Sequence, residues 1–228
     1  MDRLLNLLRS NKMTLLVALP ANSVALAEAA ERNGAHALKT HINMTHKASH
    51  VRFGTLDEEQ EVLTAILQRV KVPVGIVPGA SLDVDAAMIA RLAEMGFDFF
   101  DMFAHFMTPQ LFAVPGISRM AAVDSSFDWK TIDELTKRDV QMLEGAIIPS
   151  AGYGERLSIV DLARYRLLRA KTHVPLIIPS QRSLMPEDVR SLHDTGAEAV
   201  MIGVLSTGTK PEELGPQVAA FREAIEKL

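Results

Sequence analysis

Short apolar segments alternate with amphipathic segments eight times along this 228-residue chain. The apolar segments show no polar alternation, which is typical of parallel strands buried on both faces. Each is followed by a segment that opens on a capping or turn residue, as helices do. Eight strand–helix units with short connections predict an α/β fold whose parallel sheet closes on itself, a single (β/α)8 TIM barrel domain over residues 1–228.

The predicted strands are 15–19, 37–41, 74–77, 98–102, 120–124, 140–146, 174–178 and 199–203. The predicted helices are one from near Asn22 to Asn33, then 57–70, 83–95, a short one opened by Pro109, 129–136, one ending near Ala170, and two opened by Pro186 and Pro211. Residues 1–9 are predicted to form a further short helix that plugs the barrel floor or contacts a partner subunit. The first strand is not followed by a glycine-rich dinucleotide fingerprint, which disfavours a Rossmann fold.

Composition excludes several classes of function. The net charge of −4 argues against nucleic acid as a partner, and no apolar run approaches the roughly 20 residues that span a membrane. The chain contains no cysteine, so it has no disulfide, thiolate nucleophile or zinc–thiolate site. Residues 1–9 lack the features of a secretory signal. We therefore expect a cytoplasmic protein with no membrane partner, and a homo-oligomer is compatible with the sequence.

Polar residues at the carboxyl ends of the strands are the candidates for chemistry, because barrels of this type build their active sites there. Lys39 and His41 share one face of the second strand. If that face points inward, burial lowers the pKa of Lys39 and fits it for acid/base or imine-forming chemistry. The alternative is a buried ion pair with Asp101 or Glu144 that holds neighbouring strands in register.

Each of the acidic candidates also has a structural explanation as an alternative to a catalytic role. Glu144 lies in an otherwise apolar strand, where burying a carboxylate is costly unless it pairs with a cation or takes part in the chemistry. Asp101 could orient Lys39, bind a substrate hydroxyl or remove a proton, or it could cap the next segment. His105 follows it along the chain. Asp124 precedes Ser-Ser and a helix, so helix capping explains it at least as well as catalysis.

The long loop 42–55 is dense in basic and polar side chains, namely His46, Lys47, Ser49, His50, Arg52 and Gly54. Loops of this length in a compact barrel are usually functional. We expect His46 and Arg52 to contact an anionic substrate. His41, His46 and His50 also suggest a metal triad as an alternative, but their spacing matches no standard zinc pattern, so the prediction is that no metal binds.

Three further loops supply hydrogen-bond donors. The segment 149–154 has glycines on both sides of Tyr153, which suits a lid, a backbone cradle for an anion or a plain loop. The loops after the seventh and eighth strands are predicted to bind phosphate or another anion through Ser180, Gln181, Arg182, Gly203, Ser206 and Thr207. Ordinary Ser/Thr turn chemistry is the alternative there.

The last 40 or so residues resemble the phosphate-binding (β/α)8 barrels of the ribulose-phosphate-binding type, such as indole-glycerol-phosphate synthase and N-acylmannosamine-6-phosphate 2-epimerase. The shared pattern is VPLI at 174–177, PEDV at 186–189 and GAEAVMIG at 196–203. Those enzymes usually carry Gly-Gly or Glu-Gly after strand seven, where this chain has Pro179-Ser180-Gln181. Lys39 resembles the acid/base lysine of the epimerase in its strand position.

The leading hypothesis is a cofactor-independent lyase, isomerase or epimerase that acts on a small phosphorylated or anionic metabolite. Lys39 would be the acid/base or imine-forming residue, with Glu144 or Asp101 as its proton partner. One alternative is metal-assisted chemistry at His41, His46 and His50. Another is a barrel that binds an anionic metabolite without catalysis.

Overall fold

A computed structural model describes residues 2–46, 48–138 and 140–228, which contain a closed barrel of eight parallel strands. The barrel strands are β1 (Thr14–Ala18), β2 (Ala37–His41), β3 (Val74–Val77), β4 (Phe99–Phe103), β5 (Ser118–Asp124), β6 (Met142–Ala146), β7 (Leu176–Pro179) and β8 (Ala199–Ile202). Strands adjacent in this order pair with each other, and β8 pairs with β1 to close the ring. The predicted (β/α)8 barrel is confirmed.

The helices in the described ranges are α1 (Arg3–Ser10), α2 (Val24–Arg32), α3 (Leu56–Arg69), α4 (Ala86–Met95), α5 (Ile132–Arg138), α6 (Ile159–Arg169), α7 (Val189–His193), α8 (Val204–Thr207) and α9 (Pro211–Glu226). Short 3-10 turns occupy Ala104–Phe106, Pro109–Ala113, Ser150–Gly152 and Pro186–Asp188. Prolines open two of these turns and α9, as predicted. None of the described helices is long and apolar enough to cross a bilayer.

The alternation of side chains along each strand decides which residues face the barrel interior. In β1, Leu15 and Val17 pack with the core between strands and helices, whereas Leu16 belongs to a separate interior cluster. Ala37, Phe99 and Met142 belong to the same interior cluster. Lys39, Asp101 and Glu144 lie two residues beyond these three positions, so all three point into the barrel.

Helix α1 closes the amino-terminal end of the barrel. Its leucines Leu4, Leu5 and Leu8 are buried in the interior cluster together with residues of the strands. Ser118 at the start of β5 donates a hydrogen bond to Asp2 just before the helix, with 2.8 Å between the oxygens. Of the two predicted roles for this segment, the structure shows the floor plug.

Several predicted boundaries were wrong by a few residues, because local caps, turns and strand pairing set the ends of the elements. Asp85 caps α4 by accepting from the Met88 N–H, so this helix starts at Ala86 and not at residue 83. Strand β7 begins two residues later than predicted, and β5 begins two residues earlier. The predicted helix 129–136 is shifted to α5, since residues 128–131 form a turn stabilised by Asp128. Loop 42–55 contains a two-stranded antiparallel hairpin, Met44–Thr45 with Arg52–Phe53.

Gly75 in β3 is required by the packing of the barrel interior. A Cβ at this position would lie 2.1 Å from two carbons of the buried Phe99 ring. We expect Gly75→Ala to lower the free energy of unfolding by about 1–3 kcal/mol, because the core has no room for the methyl group. Chemical denaturation measures this, and the same substitution in a Phe99→Leu background should have a smaller effect. Equal effects in both backgrounds would show that Phe99 is not the obstacle.

Candidate active site

A cavity of about 880 Å³ opens at the carboxyl-terminal ends of the barrel strands. Its floor is formed by interior side chains of the strands, and its sides by the loops that follow them. The polar residues that line it include Lys39, His41, Asn43, His46, Asp101, Asp124, Glu144, Tyr153, Ser180 and Gln181. This is the end of the barrel where the sequence predicted the site.

Lys39, Asp101 and Glu144 meet on the floor of this cavity. The Lys39 Nζ donates to Asp101 Oδ2 at 2.7 Å and to Glu144 Oε2 at 2.6 Å. The exposed fractions of the three side chains are 6%, 3% and 10%. Strands β2, β4 and β6 therefore converge on one buried cluster of ionisable groups, hereafter the Lys39 triad.

The pKa of Lys39 is raised, which corrects the expectation that burial would lower it. Burial is the largest single influence and does lower the pKa of this ammonium, but the adjacent charges of Asp101 and Glu144 together outweigh burial. The ion pair expected as the alternative to a catalytic lysine is thus present. Both carboxyls take part in it, so Lys39 is an ammonium at neutral pH.

The pKa values of the two carboxyls of the triad are shifted in opposite directions. Burial and the neighbouring Glu144 charge raise the pKa of Asp101 well above its usual range, against the opposing effect of Lys39. Burial alone would also raise the pKa of Glu144, but the Lys39 ammonium and hydrogen bonds to the carboxylate lower it. The triad consequently holds an ammonium and the Glu144 carboxylate, and Asp101 is the carboxyl that takes up a proton more readily. Asp101 Oδ1 is buried and has no hydrogen-bond partner among the described residues.

His41 and His46 line one side of the cavity, and the Phe53 ring packs against His41. The ring centroids of His41 and His46 are 5.1 Å apart, and that of Phe53 lies 4.9 Å from His41. Burial and the Lys39 charge lower the pKa of His41 well below its usual value, and they lower the pKa of His46 to about 4. Both imidazoles are therefore neutral at pH 7.

The residues of the alternative metal triad do not converge. His46 Nδ1 accepts from the Ser49 N–H at 3.2 Å, and His50 is exposed at the far end of the hairpin. Within residues 2–46, 48–138 and 140–228, no group of three or more His, Cys, Asp or Glu side chains is arranged to hold a metal. Lys47 of the same loop lies outside the described residues.

The structure brings only part of the predicted anion-binding set to the cavity. Ser180, Gln181 and Gly203 line it. The Arg182 side chain lies away from it and donates to Asp161 Oδ2 at 2.9 Å and to Glu155. The chain turns at residues 180–182, and the ion pairs with Asp161 and Glu155 hold the Arg182 guanidinium outside the cavity lining.

Arg52, Ser206 and Thr207 are also outside the cavity lining. The Arg52 side chain is 70% exposed and pairs with Glu58. Thr207 is buried and donates to the carbonyl of Gly208 at 3.1 Å, while the Ser206 hydroxyl is buried and has no hydrogen-bond partner among the described residues. Val204 and Leu205 at the start of α8, and not these two hydroxyl residues, line the cavity at this point.

The remaining strand-end candidates lie at the rim of the cavity. Asp124 Oδ1 accepts from the N–H and the hydroxyl of Ser126 at 2.9 and 2.7 Å; these bonds stabilise a turn and not the predicted helix cap, since the next helix begins only at Ile132, and Asp124 also lines the cavity. His105 stacks on Phe103 with 5.5 Å between ring centroids and contacts Phe106 edge-on. Phe103 and Phe106 also line the cavity.

No protein-family model matches this sequence, and no curated protein matches it. Solved structures do match over nearly the whole chain. KGPDC from Streptococcus mutans, solved as a ligand complex, has a TM-score of 0.72 and 11% identity, covering 95% of this chain and 99% of that chain. Phosphoribosyl anthranilate isomerase from Thermus thermophilus has a TM-score of 0.69 and 16% identity, covering 94% and 99%. Thiamine phosphate pyrophosphorylase from Pyrococcus furiosus has a TM-score of 0.67 and 15% identity, covering 95% and 97%.

The chain has the fold of these (β/α)8 barrel enzymes. This confirms the resemblance expected from the last 40 residues at the level of architecture. Sequence identities of 11–16% show the fold alone, so the chemistry of this protein has to be argued from its own cavity.

Proposed function

We propose that this protein is a cofactor-independent isomerase, epimerase or lyase that moves a proton on a small phosphorylated or otherwise anionic metabolite. The observation that carries the proposal is the Lys39 triad, in which an ammonium is buried between two carboxyls on the floor of the cavity. Buried ionisable groups with shifted pKa values at the base of a cleft are typical of active sites.

The protonation states give each carboxyl a separate role. Glu144 is a carboxylate and can accept a proton from substrate carbon or oxygen. Asp101 has a raised pKa, so in this proposal it is the carboxyl that takes up and donates a proton. Its Oδ2 accepts from Lys39, and its buried Oδ1 has no hydrogen-bond partner among the described residues. A base and an acid held on one ammonium are the groups that an isomerisation or epimerisation needs.

Lys39 acts in this proposal as a fixed positive charge. Its ammonium would stabilise negative charge that develops on a substrate oxygen while the proton moves. An imine requires the neutral amine as nucleophile, and the raised pKa of Lys39 disfavours that form. Acid/base chemistry is therefore the preferred mechanism over Schiff-base chemistry.

The similar structures support the enzyme class and the kind of metabolite. Phosphoribosyl anthranilate isomerase and thiamine phosphate pyrophosphorylase are named for phosphorylated compounds, and KGPDC was solved with a phosphorylated small molecule bound. A cavity of about 880 Å³ is within the range that holds ligands of this size.

Proton abstraction can be tested before the natural substrate is known. Purified protein is incubated in D2O with a panel of sugar phosphates and phosphorylated hydroxy acids, and 1H NMR follows deuterium incorporation at carbon. We expect exchange or product with at least one compound for the wild-type protein and none for Lys39→Met. Binding of a compound with neither exchange nor turnover would instead indicate a barrel that binds a metabolite without catalysis.

Borohydride reduction separates the two lysine mechanisms. With a carbonyl compound that undergoes exchange, we expect no covalent mass increase on Lys39 after reduction and peptide mapping, because the amine stays protonated between its carboxyls. Exposed Lys227 provides the background level of modification. Stoichiometric labelling of Lys39 would contradict the acid/base mechanism in favour of an imine.

A further inference from the structure

The two sides of the cavity differ in chemistry. The residues that follow β5 to β8 present polar side chains to it, among them Asp124, Tyr153, Ser180 and Gln181. The side formed after β2, β3 and β4 instead carries a cluster of large apolar side chains. This cluster, hereafter the apolar wall, consists of Met44, Val84, Met88, Phe103 and Phe106.

The apolar wall is built by three neighbouring strands and the segments that follow them. β2 pairs with β3, and β3 pairs with β4. Met44 belongs to the hairpin after β2, Met88 belongs to α4 after β3, and Phe103 ends β4. Asn43, next to Met44, donates to the Pro78 carbonyl at 2.9 Å, and its Nδ2 lies 3.9 Å from the Met88 sulfur. These contacts join the hairpin to the α4 part of the wall.

Little charge lies on this side of the cavity. His41 and His46 are neutral at pH 7, because burial and the Lys39 charge lower the pKa of each. The carboxylate of Asp83 already accepts from the Ser81 hydroxyl at 3.0 Å. Among the described residues that line the cavity, Lys39 is the only lysine or arginine, and its ammonium is held on the floor. An ionised part of a ligand is therefore better placed at the floor or on the polar side than against the wall.

Aromatic rings form the part of the wall that follows β4. The Phe103 and His105 rings are 5.5 Å apart and nearly parallel, at 16°, and Phe106 meets His105 edge-on at 4.2 Å and 61°. Both phenylalanines line the cavity and are only half-buried. Apolar surface left in contact with water gains free energy when a ligand covers it. Aromatic rings and methionine sulfurs both make favourable contacts with a further aromatic ring.

We infer that the substrate carries an aromatic group that packs against the apolar wall while its reacting carbon lies over the Lys39 triad. This inference rests on the proposed function for the role of the triad. It adds a requirement that the proposed function does not contain, an apolar ring on the anionic metabolite. The cavity of about 880 Å³ has room for a ring as well as an anionic group.

Benzyl phosphate and methyl phosphate are the probes, because they share the anionic group and differ in the ring. We expect isothermal titration to show that the wild type binds benzyl phosphate at least about tenfold more tightly than methyl phosphate. Phe106→Leu keeps an apolar side chain but removes the ring, so it should weaken benzyl phosphate binding by about threefold to tenfold and leave methyl phosphate binding unchanged. Phe112→Leu is the matched control, because Phe112 is also half-buried but packs on the Arg119 guanidinium outside the cavity lining. It should bind both compounds as the wild type does.

Two results would overturn the aromatic group. One is benzyl phosphate that binds the wild type no more tightly than methyl phosphate does, and the other is benzyl phosphate binding that is unchanged in Phe106→Leu. Met88→Ala probes the wall from α4, independently of the turn that holds Phe106, and should also weaken the binding of benzyl phosphate alone.

The outcomes also separate this inference from the proposed function. Glu144→Gln should keep the preference for benzyl phosphate even though it blocks proton exchange. A preference for the ring without deuterium exchange on any compound would leave the wall in place and remove the proposed catalysis. Rapid exchange on a sugar phosphate without a ring, at the same rate in Phe106→Leu as in the wild type, would support the triad and remove the aromatic group.

Discussion

Replacing Lys39 by methionine is expected to lower the free energy of unfolding by about 3–5 kcal/mol at pH 8, the usual effect of removing one partner from a buried ion pair. Methionine approximates the length of the lysine side chain, so little of this loss comes from a cavity. It arises because Glu144 is left as a buried carboxylate without its ammonium. The substitution should be among the most destabilising single changes on the cavity floor.

The loss should depend on pH in a defined direction. Without Lys39, burial raises the folded-state pKa of Glu144 above its unfolded value. Between these two pKa values the folded variant therefore binds a proton that the unfolded chain has already released. A raised carboxyl pKa gives stability that is present below the unfolded pKa and is lost as pH rises through the folded pKa. The wild-type Glu144 has a lowered pKa and shows the opposite trend. The stability gap between variant and wild type should therefore shrink from pH 8 to pH 5.

Urea denaturation at several pH values measures this gap. The double variant Lys39→Met, Glu144→Gln should recover part of the stability at pH 8, because it buries no unpaired charge. Lys227→Met is the matched control, since its ion pair with Glu223 is largely exposed and should contribute little to stability. A pH-independent loss for Lys39→Met would mean that packing and not charge dominates at this position.

Glu144→Gln is expected to lower kcat by about 10²–10⁴-fold on whichever compound the exchange screen identifies, the range for loss of a general base. KM should change little, because the proposed function gives Glu144 a role in proton transfer and not in binding the anionic group of the substrate. The fold should tolerate this change better than Lys39→Met. With the Glu144 charge gone, the pKa of Asp101 should fall, and Asp101 then becomes the counter-ion of Lys39 at 2.7 Å.

Steady-state kinetics with a stability measurement on the same samples tests this prediction. Glu198→Gln serves as the control, because Glu198 also accepts from a basic side chain, Arg169 at 2.6 Å, but it lies outside the cavity lining. Its kcat should match that of the wild type. Full turnover by Glu144→Gln would assign the base to another group and refute the role proposed for this carboxylate.

The positions of the three triad residues followed from local patterns. The two-residue alternation placed Lys39 and His41 on one strand face, and an acidic residue in the apolar segment around Glu144 signalled a paired or functional carboxylate. The protonation states could not be inferred in the same way. Lys39 is 62 residues from Asp101 and 105 residues from Glu144 along the chain, and its pKa depends on both distances in space.

The loops after β6 and β7 show the same contrast between what the sequence predicts and what the structure decides. Composition marked Ser180, Gln181 and Arg182 alike as anion ligands, because each carries hydrogen-bond donors. In the structure Ser180 faces the cavity, Gln181 aligns Tyr153 there, and Arg182 pairs with Asp161 on the other side. The segment around Tyr153 was predicted to be a lid, a backbone cradle for an anion or a plain loop, since nothing in its sequence context shows that Gln181 donates to Tyr153.

The sequence by itself determined the barrel, the end of the barrel that holds the cavity and the strand-end residues of the Lys39 triad, because strand periodicity and helix caps depend on neighbours a few residues away. Only the tertiary structure decided that Lys39 keeps its proton, that the pKa of Asp101 is raised and that neutral hydroxyls face the cavity in place of Arg182. These properties depend on burial and on charges brought together through space, which the order of residues along the chain does not encode locally.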